Sequence, residues 1–233
     1  MKKLFIIAAM AVAGITTANA QEFKVGAKAG FLMSNVSVDS SSDIEAGKLI
    51  TSKLNTAFRP GFHFGAFIEY GFNEKIWVEA GVDYAFQGAN LKSVEATVIN
   101  VSDGSLITSE KANIKNGWLK TQQFNIPLWV KYDISGFRPK VGVNLGFLSK
   151  VKTNSEIEGG PTVENKSLTP DKKFDFGLGF GAEYNLPMGL FFDATFNLGL
   201  TKLSTKEKNN DGTYSEGGKF KNRVFQIGVG YKF

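Results

Sequence analysis

The C-terminal stretch Phe220–Phe233, FKNRVFQIGVGYKF, decides the fold because large apolar residues alternate in it with polar or very small ones. An alternation with period two predicts a β-strand with one apolar face and one polar face. A soluble protein rarely leaves such a strand at an open edge, because exposed edges aggregate. A strand that faces lipid and pairs into a closed barrel has no open edge. The apolar positions are Phe225, Ile227, Val229, Tyr231 and Phe233.

Residues 1–20 are predicted to be a secretory signal peptide. Lys2 and Lys3 give a basic start, Leu4–Ile15 is a short apolar core, and Ala18–Ala20 fits a small-x-small cleavage site. The apolar run is shorter than the about 20 residues that a membrane-spanning helix needs. We therefore expect cleavage before Gln21 and a single barrel domain over residues 21–233.

Composition excludes several classes of function. The chain of 233 residues has 27 basic and 22 acidic side chains and no cysteine. Without the two lysines of the signal peptide the net charge is about +3, which is too small to indicate nucleic-acid binding. The lack of cysteine excludes a lipid anchor, disulfides and thiolate metal sites. No stretch after the signal peptide is apolar enough for a spanning helix, so any membrane-spanning structure must consist of strands.

The same alternation recurs in seven earlier segments and predicts eight strands in all. Each is near the 9–11 residues that cross a bilayer at a tilt. The connections alternate between short turns and long polar loops over residues 39–57, 88–117, 149–173 and 204–218. We predict an all-β fold, an eight-stranded antiparallel up-and-down transmembrane β-barrel with both termini in the periplasm. Whether 89–117 and 150–173 extend as hairpins is open. The strands are Glu22–Met33, Phe58–Tyr70, Ile76–Phe86, Trp118–Tyr132, Phe137–Phe147, Phe174–Tyr184, Leu190–Leu200 and Phe220–Phe233.

The two faces of these strands predict a membrane girdle and a charged lumen. Every second strand carries an outward tyrosine where it meets a short turn or the C-terminus, which is typical of a membrane interface, although strand propensity alone also favours tyrosine. These are Tyr70, Tyr132, Tyr184 and Tyr231. The inward charges are expected to pair, because side chains just fill an eight-stranded barrel; a narrow ion path is the alternative. They are Lys24, Lys28, Glu69, Glu79, Asp83, Lys131, Arg138, Lys140, Asp175, Glu183, Asp193, Arg223 and Lys232.

No motif in the chain indicates catalysis, a metal site or a cofactor. His63 is the only histidine, and no spacing selects partners for it, so it is interpreted as a polar lumen residue. The glycine-rich Gly177–Gly181 lies within a strand and opens no helix, which excludes a phosphate-binding loop. We expect no enzymatic activity.

The chain resembles the outer-membrane β-barrel proteins of Bacteroidetes, the porin-family or PorT-family proteins. The resemblance rests on the signal ending Ala18-Asn19-Ala20, on the block Phe124–Tyr132 (FNIPLWVKY), on the glycine-rich strand Asp175–Tyr184 and on the C-terminal strand. It implies a Gram-negative outer-membrane location. A terminal alternating strand that ends in Phe233 also resembles the signal that barrel-assembly machinery recognises.

Three functions remain open from the sequence. The first is a structural or interaction scaffold whose four long loops contact a protein or a surface polysaccharide, with a PorT-like role in protein secretion as a special case. The second is a narrow solute or ion conduit. The third is a soluble lipocalin-like barrel, which would turn its aromatic face inward around a ligand. The expected partners are outer-membrane lipid, the barrel-assembly machinery and an unknown loop partner, with no nucleic acid and a monomeric barrel.

Overall fold

The computed structural model describes residues 22–208 and 212–233, so the predicted signal peptide lies outside the described residues. Within these ranges the chain forms twelve strands and no helix. No helix there is long and apolar enough to cross a membrane. The strands are β1 (Glu22–Val38), β2 (Ser41–Glu45), β3 (Lys48–Ala57), β4 (Arg59–Gly71), β5 (Ile76–Asn100), β6 (Leu106–Tyr132), β7 (Phe137–Ile157), β8 (Thr162–Pro170), β9 (Phe174–Asn185), β10 (Leu190–Gly199), β11 (Leu203–Lys208) and β12 (Tyr214–Lys232).

Eight of the twelve strands close into a ring. The order around the ring is β1–β4–β5–β6–β7–β9–β10–β12, and every neighbouring pair is antiparallel. The terminal strands β1 and β12 close it, with Ala27 opposite Tyr231 and Val38 opposite Phe220. The predicted eight-stranded antiparallel barrel is confirmed.

The barrel turns its aromatic face outward and its charged face inward. Phe31 and Phe180 are 75% and 60% exposed, whereas Glu69 and Lys131 are almost completely buried. A lipocalin-like barrel would have the opposite arrangement. The soluble ligand-binding alternative therefore does not fit the structure.

Three tight turns define one end of the barrel, called here the short-turn end. They follow β4, β6 and β9. In the first, the Asn73 side-chain carbonyl accepts hydrogen bonds from the backbone N–H groups of Lys75 and Ile76, at 2.9 and 2.8 Å. This Asx turn reverses the chain without help from other strands.

Long hairpins form the opposite end, called here the hairpin end. β5 and β6 have 25 and 27 residues, far more than a membrane crossing requires. β2 and β3 form a hairpin that pairs with β5, while β8 pairs with β7 and β11. The segments 89–117 and 150–173 both extend as hairpins.

The prediction that 39–57, 149–173 and 204–218 are loops is therefore wrong for most of their described residues. These segments are rich in Ser, Thr, Asn and Lys, and many of their side chains are exposed. A strand that buries neither face deeply needs no apolar alternation, so its sequence resembles that of a loop. These strands form because a neighbouring strand supplies an edge to which they can hydrogen-bond.

Candidate functional site

The lumen at the short-turn end is built around the ammonium group of Lys131. Its Nζ lies 2.9 Å from Glu69, 2.5 Å from Glu79 and 2.6 Å from Glu183, and its side chain has no exposed surface. Charges removed from water in this way are stable only when they are paired and hydrogen-bonded. Lys131 therefore neutralises carboxylates that come from three different strands.

Three further cations complete this charged layer. Lys232 contacts Glu69 at 2.8 Å and Glu183 at 2.6 Å, and Lys28 contacts Glu79 at 3.0 Å. The Arg138 guanidinium contacts Glu69 at 3.2 Å and also pairs with Asp133. We define the charged layer as these side chains: Lys28, Glu69, Glu79, Lys131, Asp133, Arg138, Glu183 and Lys232.

The strand register explains why these charges must pair across the lumen. Glu69 lies directly opposite Glu79 on the neighbouring strand, and Lys131 lies opposite Lys140. Like charges in opposed positions repel each other. The long lysine side chains bring the opposite charges together from different walls of the barrel, which ties β4, β5, β6 and β9 to one centre.

Buried aromatic rings support the cations of this layer, and they were not among the predicted site residues. The Arg138 guanidinium lies 4.1 Å from the ring centroid of Trp77, and the Lys232 ammonium lies 4.8 Å from that of Phe191. Such contacts contribute about 0.5–2 kcal/mol each. The alternation could have placed both rings in the lumen, because they alternate with the outward residues Val78 and Phe192.

The middle of the lumen is polar and nearly full. Asp83 Oδ2 lies 2.9 Å from the His63 Nδ1, and Asp175 accepts hydrogen bonds from the side-chain amides of Gln123 and Asn222 at 3.1 and 2.7 Å. Lys140 pairs with Asp193. The cavity lined by Asp83, Gln123, Asp175 and Asn222 has a volume of about 30 Å³. That volume holds on the order of one water molecule.

A layer of apolar side chains closes the lumen at the hairpin end. Leu203 and Phe220 lie opposite each other on β11 and β12 and are almost completely buried. An apolar constriction excludes ions because it sheds water. We define the apolar cap as Val36, Ala89, Leu148, Val151, Leu203 and Phe220.

The three lumen glutamates are the one group in the described part of the chain whose spacing could hold a metal ion. Ligand atoms of Glu69, Glu79 and Glu183 lie within 4.8 Å of one another. The ammonium of Lys131 contacts all three carboxylates and takes the place of the cation. The triad is therefore a binding site for an internal lysine.

One predicted lumen residue lies on the outer face, and another lies at the rim of the lumen, where its ammonium is 5.1 Å from the ring centroid of Trp77. Arg223 is exposed, because it has the same parity as the outward Phe225; its assignment to the lumen is wrong. Lys24 lies at the rim of the short-turn end, where it pairs with the exposed Glu22 at 3.1 Å. The remaining predicted charges all line the lumen.

The predicted girdle residues lie together on the outer wall at the short-turn end. Tyr132, Tyr184 and Tyr231 are about half exposed. Tyr70 is less exposed because its ring packs edge-on against Phe72, with centroids 5.0 Å apart. The outward side chains of the C-terminal strand end at Phe233, which is 80% exposed.

A closed antiparallel ring with an aromatic outer wall and a polar interior is the architecture of an outer-membrane barrel. Residues 5–233 match the family described as outer membrane protein beta-barrel domain. The chain belongs to this family. Membership in the family implies that this barrel resides in the outer membrane.

Solved structures of other outer-membrane proteins are similar to this barrel at low identity. OprG from Pseudomonas aeruginosa is 16% identical with a TM-score of 0.46, over 92% of this chain and 97% of that chain. A major outer membrane protein from Thermus thermophilus is 15% identical with a TM-score of 0.48, over 92% and 100% of the chains. Ail of Yersinia pestis is 16% identical with a TM-score of 0.41, over 91% and 99%. No curated protein matches the chain.

Proposed function

We propose that this outer-membrane barrel is a closed interaction scaffold whose function resides in the hairpin end. The observation that carries the proposal is the filled lumen. The charged layer closes the short-turn end around the fully buried Lys131, and the apolar cap closes the hairpin end. With a cavity of only about 30 Å³ between them, the barrel offers a solute no route.

The orientation of the barrel is part of this proposal. Outer-membrane barrels have short periplasmic turns and longer external loops, which supports an external hairpin end and periplasmic chain termini. The chain has no cysteine, so a single introduced cysteine reports its own location. A membrane-impermeant maleimide should label Asp103→Cys on intact cells and Ser135→Cys only after lysis. The reverse pattern would invert the orientation.

The shape of the hairpin end supports a binding role. β2, β3, β5 and β6 form a blade, on which Ile44, Leu49, Ile99 and Leu106 lie opposite one another in a row. Ile44 and Leu106 are 70% and 63% exposed. Within the described residues β2 pairs only with β3, so its outer edge can accept a further strand. We propose that a protein or a surface polysaccharide contacts this end.

Conductance in planar bilayers tests the closed lumen. The refolded protein should give no steady current, while a 16-stranded porin in the same bilayers serves as the conducting control. A reproducible ohmic current from the wild-type barrel would refute the scaffold and favour the narrow conduit.

The narrower assignments are also proposals. A PorT-like role in protein secretion rests on the family resemblance alone. We propose that the barrel is a monomer, because the ring closes on itself with no open edge between the ring strands. We also propose that it has no catalytic activity. Size-exclusion chromatography with light scattering tests the monomer: a dimer mass after correction for detergent would refute it.

A further inference from the structure

A cationic pocket lies on the outer wall near the hairpin end, away from the lumen. It has a volume of about 350 Å³ and lies across β6, β7 and β8. We define the lysine pocket by the residues that line it: Trp118, Lys120, Gln122, Lys150, Lys152 and Asn165. None of these residues belongs to the charged layer or to the apolar cap.

The positive charges of the lysine pocket are not compensated by the protein. Lys120 lies directly opposite Lys152, and Lys150 lies opposite Gln122. Like charges in opposed positions destabilise a sheet. Among the described side chains, none of the three lysines forms an ion pair, whereas the hairpin lysines Lys111 and Lys115 pair with Glu95 and Glu158 at 3.4 and 3.7 Å. The pocket therefore favours an anion supplied from outside the protein.

A β-bulge turns two of the lysines outward. Outward side chains of β7 have odd numbers up to Phe147, so Lys150 and Lys152 would point into the lumen in a regular strand. The register shifts between Gln122 and Gln123, where Ser149 is the extra residue. One inserted residue moves every later side chain to the other face. This shift exposes both lysines and buries Val151 beside Leu148 in the apolar cap.

The position of the pocket along the barrel corresponds to the membrane surface. Lys120 and the girdle residue Tyr132 lie on the same strand, β6. A separation of about 12 residues, at about 3.3 Å each and a tilt of about 40°, is about 30 Å along the membrane normal. The apolar band of such barrels is about 25 Å tall. The lysines therefore lie at the level of lipid headgroups, above the outward Phe124.

We propose that the lysine pocket binds a phosphate group on the headgroup of the outer-leaflet glycolipid. Lysine ammonium groups bind phosphate as point charges, and the side-chain amides of Gln122 and Asn165 can hydrogen-bond sugar hydroxyls. Trp118 offers a flat interfacial ring, with the Lys120 ammonium 4.2 Å from its centroid. The choice of leaflet rests on the proposed external hairpin end.

Native mass spectrometry of the detergent-solubilised barrel tests the proposal, with lipid A as the probe. The wild type should retain lipid A with two phosphates about tenfold more than dephosphorylated lipid A, a difference of about 1.4 kcal/mol. The variant Lys120→Gln/Lys150→Gln/Lys152→Gln should lose this preference. The matched control Lys48→Gln/Lys53→Gln/Lys92→Gln removes the same charge from exposed hairpin lysines and should keep it.

Two further arms separate the possible sources of the anion. Inorganic phosphate and a sulfated oligosaccharide should displace the lipid only at concentrations far above that of the lipid, because they lack the acyl chains. Equal retention by wild type and triple variant, or displacement by the soluble anions at the lipid concentration, would overturn the glycolipid assignment. A Lys→Arg triple variant keeps the three positive charges and should retain binding, which shows that the loss with glutamine follows from the loss of charge.

The maleimide experiment keeps this test separate from the proposed function. If Asp103→Cys is labelled only after lysis, the leaflet assignment fails, while the phosphate preference can still be measured in detergent. If the barrel conducts ions, the scaffold fails and the lysine pocket on the outer wall is unaffected.

Discussion

Replacing Lys131 with methionine removes the central cation of the charged layer. Methionine has nearly the length of the lysine side chain, so packing changes little. Glu69, Glu79 and Glu183, which lie within 2.9 Å of the ammonium, then share one uncompensated negative charge in the lumen. Removing one partner from a buried ion pair costs about 3–5 kcal/mol.

The expected loss is large enough to measure by urea unfolding in detergent micelles. With a denaturant dependence of about 2 kcal/mol per molar, a cost of 3–5 kcal/mol lowers the midpoint by about 2 M. Lys24→Met is the matched control, because this rim lysine pairs with Glu22, whose side chain is 59% exposed, and its ammonium lies 5.1 Å from the ring centroid of Trp77. Exposed ion pairs contribute about 0–1 kcal/mol and exposed cation–π contacts about 0.5–1 kcal/mol, so the control midpoint should move by less than about 1 M.

A second substitution shows whether charge balance is the cause. Adding Glu183→Gln to Lys131→Met restores neutrality, and Lys232 and Arg138 still contact Glu69. The double variant should be more stable than Lys131→Met alone, with a coupling of about 0.5–3 kcal/mol. Equal midpoints for Lys131→Met and Lys24→Met, or a double variant less stable than Lys131→Met, would refute the electrostatic reasoning.

Two further substitutions and one deletion probe the wall and the end of the barrel. Phe180→Asp should prevent outer-membrane assembly, because a charge on the lipid face costs up to about 2–4 kcal/mol at the midplane and somewhat less for an acid. The control Phe180→Leu should assemble. Normal amounts of the aspartate variant in membrane fractions would contradict the outward assignment of Phe180. Deleting Phe233 should lower outer-membrane levels on immunoblots, whereas Phe233→Tyr should not; unchanged levels after deletion would exclude a terminal assembly signal. Gly30→Ala places a Cβ 2.1 Å from the backbone oxygen of Ile227, and Gly218→Ala meets nothing within 4 Å. Gly30→Ala should lower the free energy of unfolding, measured in urea, by about 1–3 kcal/mol. Equal unfolding midpoints for the Gly30→Ala and Gly218→Ala variants would rule out this close strand contact.

The sequence predicted the ring correctly because each of its strands has a face toward lipid and a face toward the lumen. Phe174–Tyr184 shows why: its aromatic and aliphatic residues alternate with glycine and acids, and only one register puts the first set outside. The inward position of Glu69, Lys131, Glu183 and Lys232 follows from the same parity. The same alternation places Arg223 on the outer face with Phe225. Its assignment to the lumen was wrong because the alternation was not applied to this residue.

The sequence by itself determined the eight ring strands, the two faces of the wall and which charges enter the lumen, because period-two alternation is a local property. Only the tertiary structure decided the rest. The hairpin strands β2, β3, β8 and β11 form because neighbouring strands of the same chain supply hydrogen bonds. The contacts of Lys131 with Glu69 and Glu183 join residues 62 and 52 positions apart. The bulge at Ser149, which turns Lys150 outward and Val151 into the cap, depends on pairing with β6 and leaves no periodic signal in the sequence.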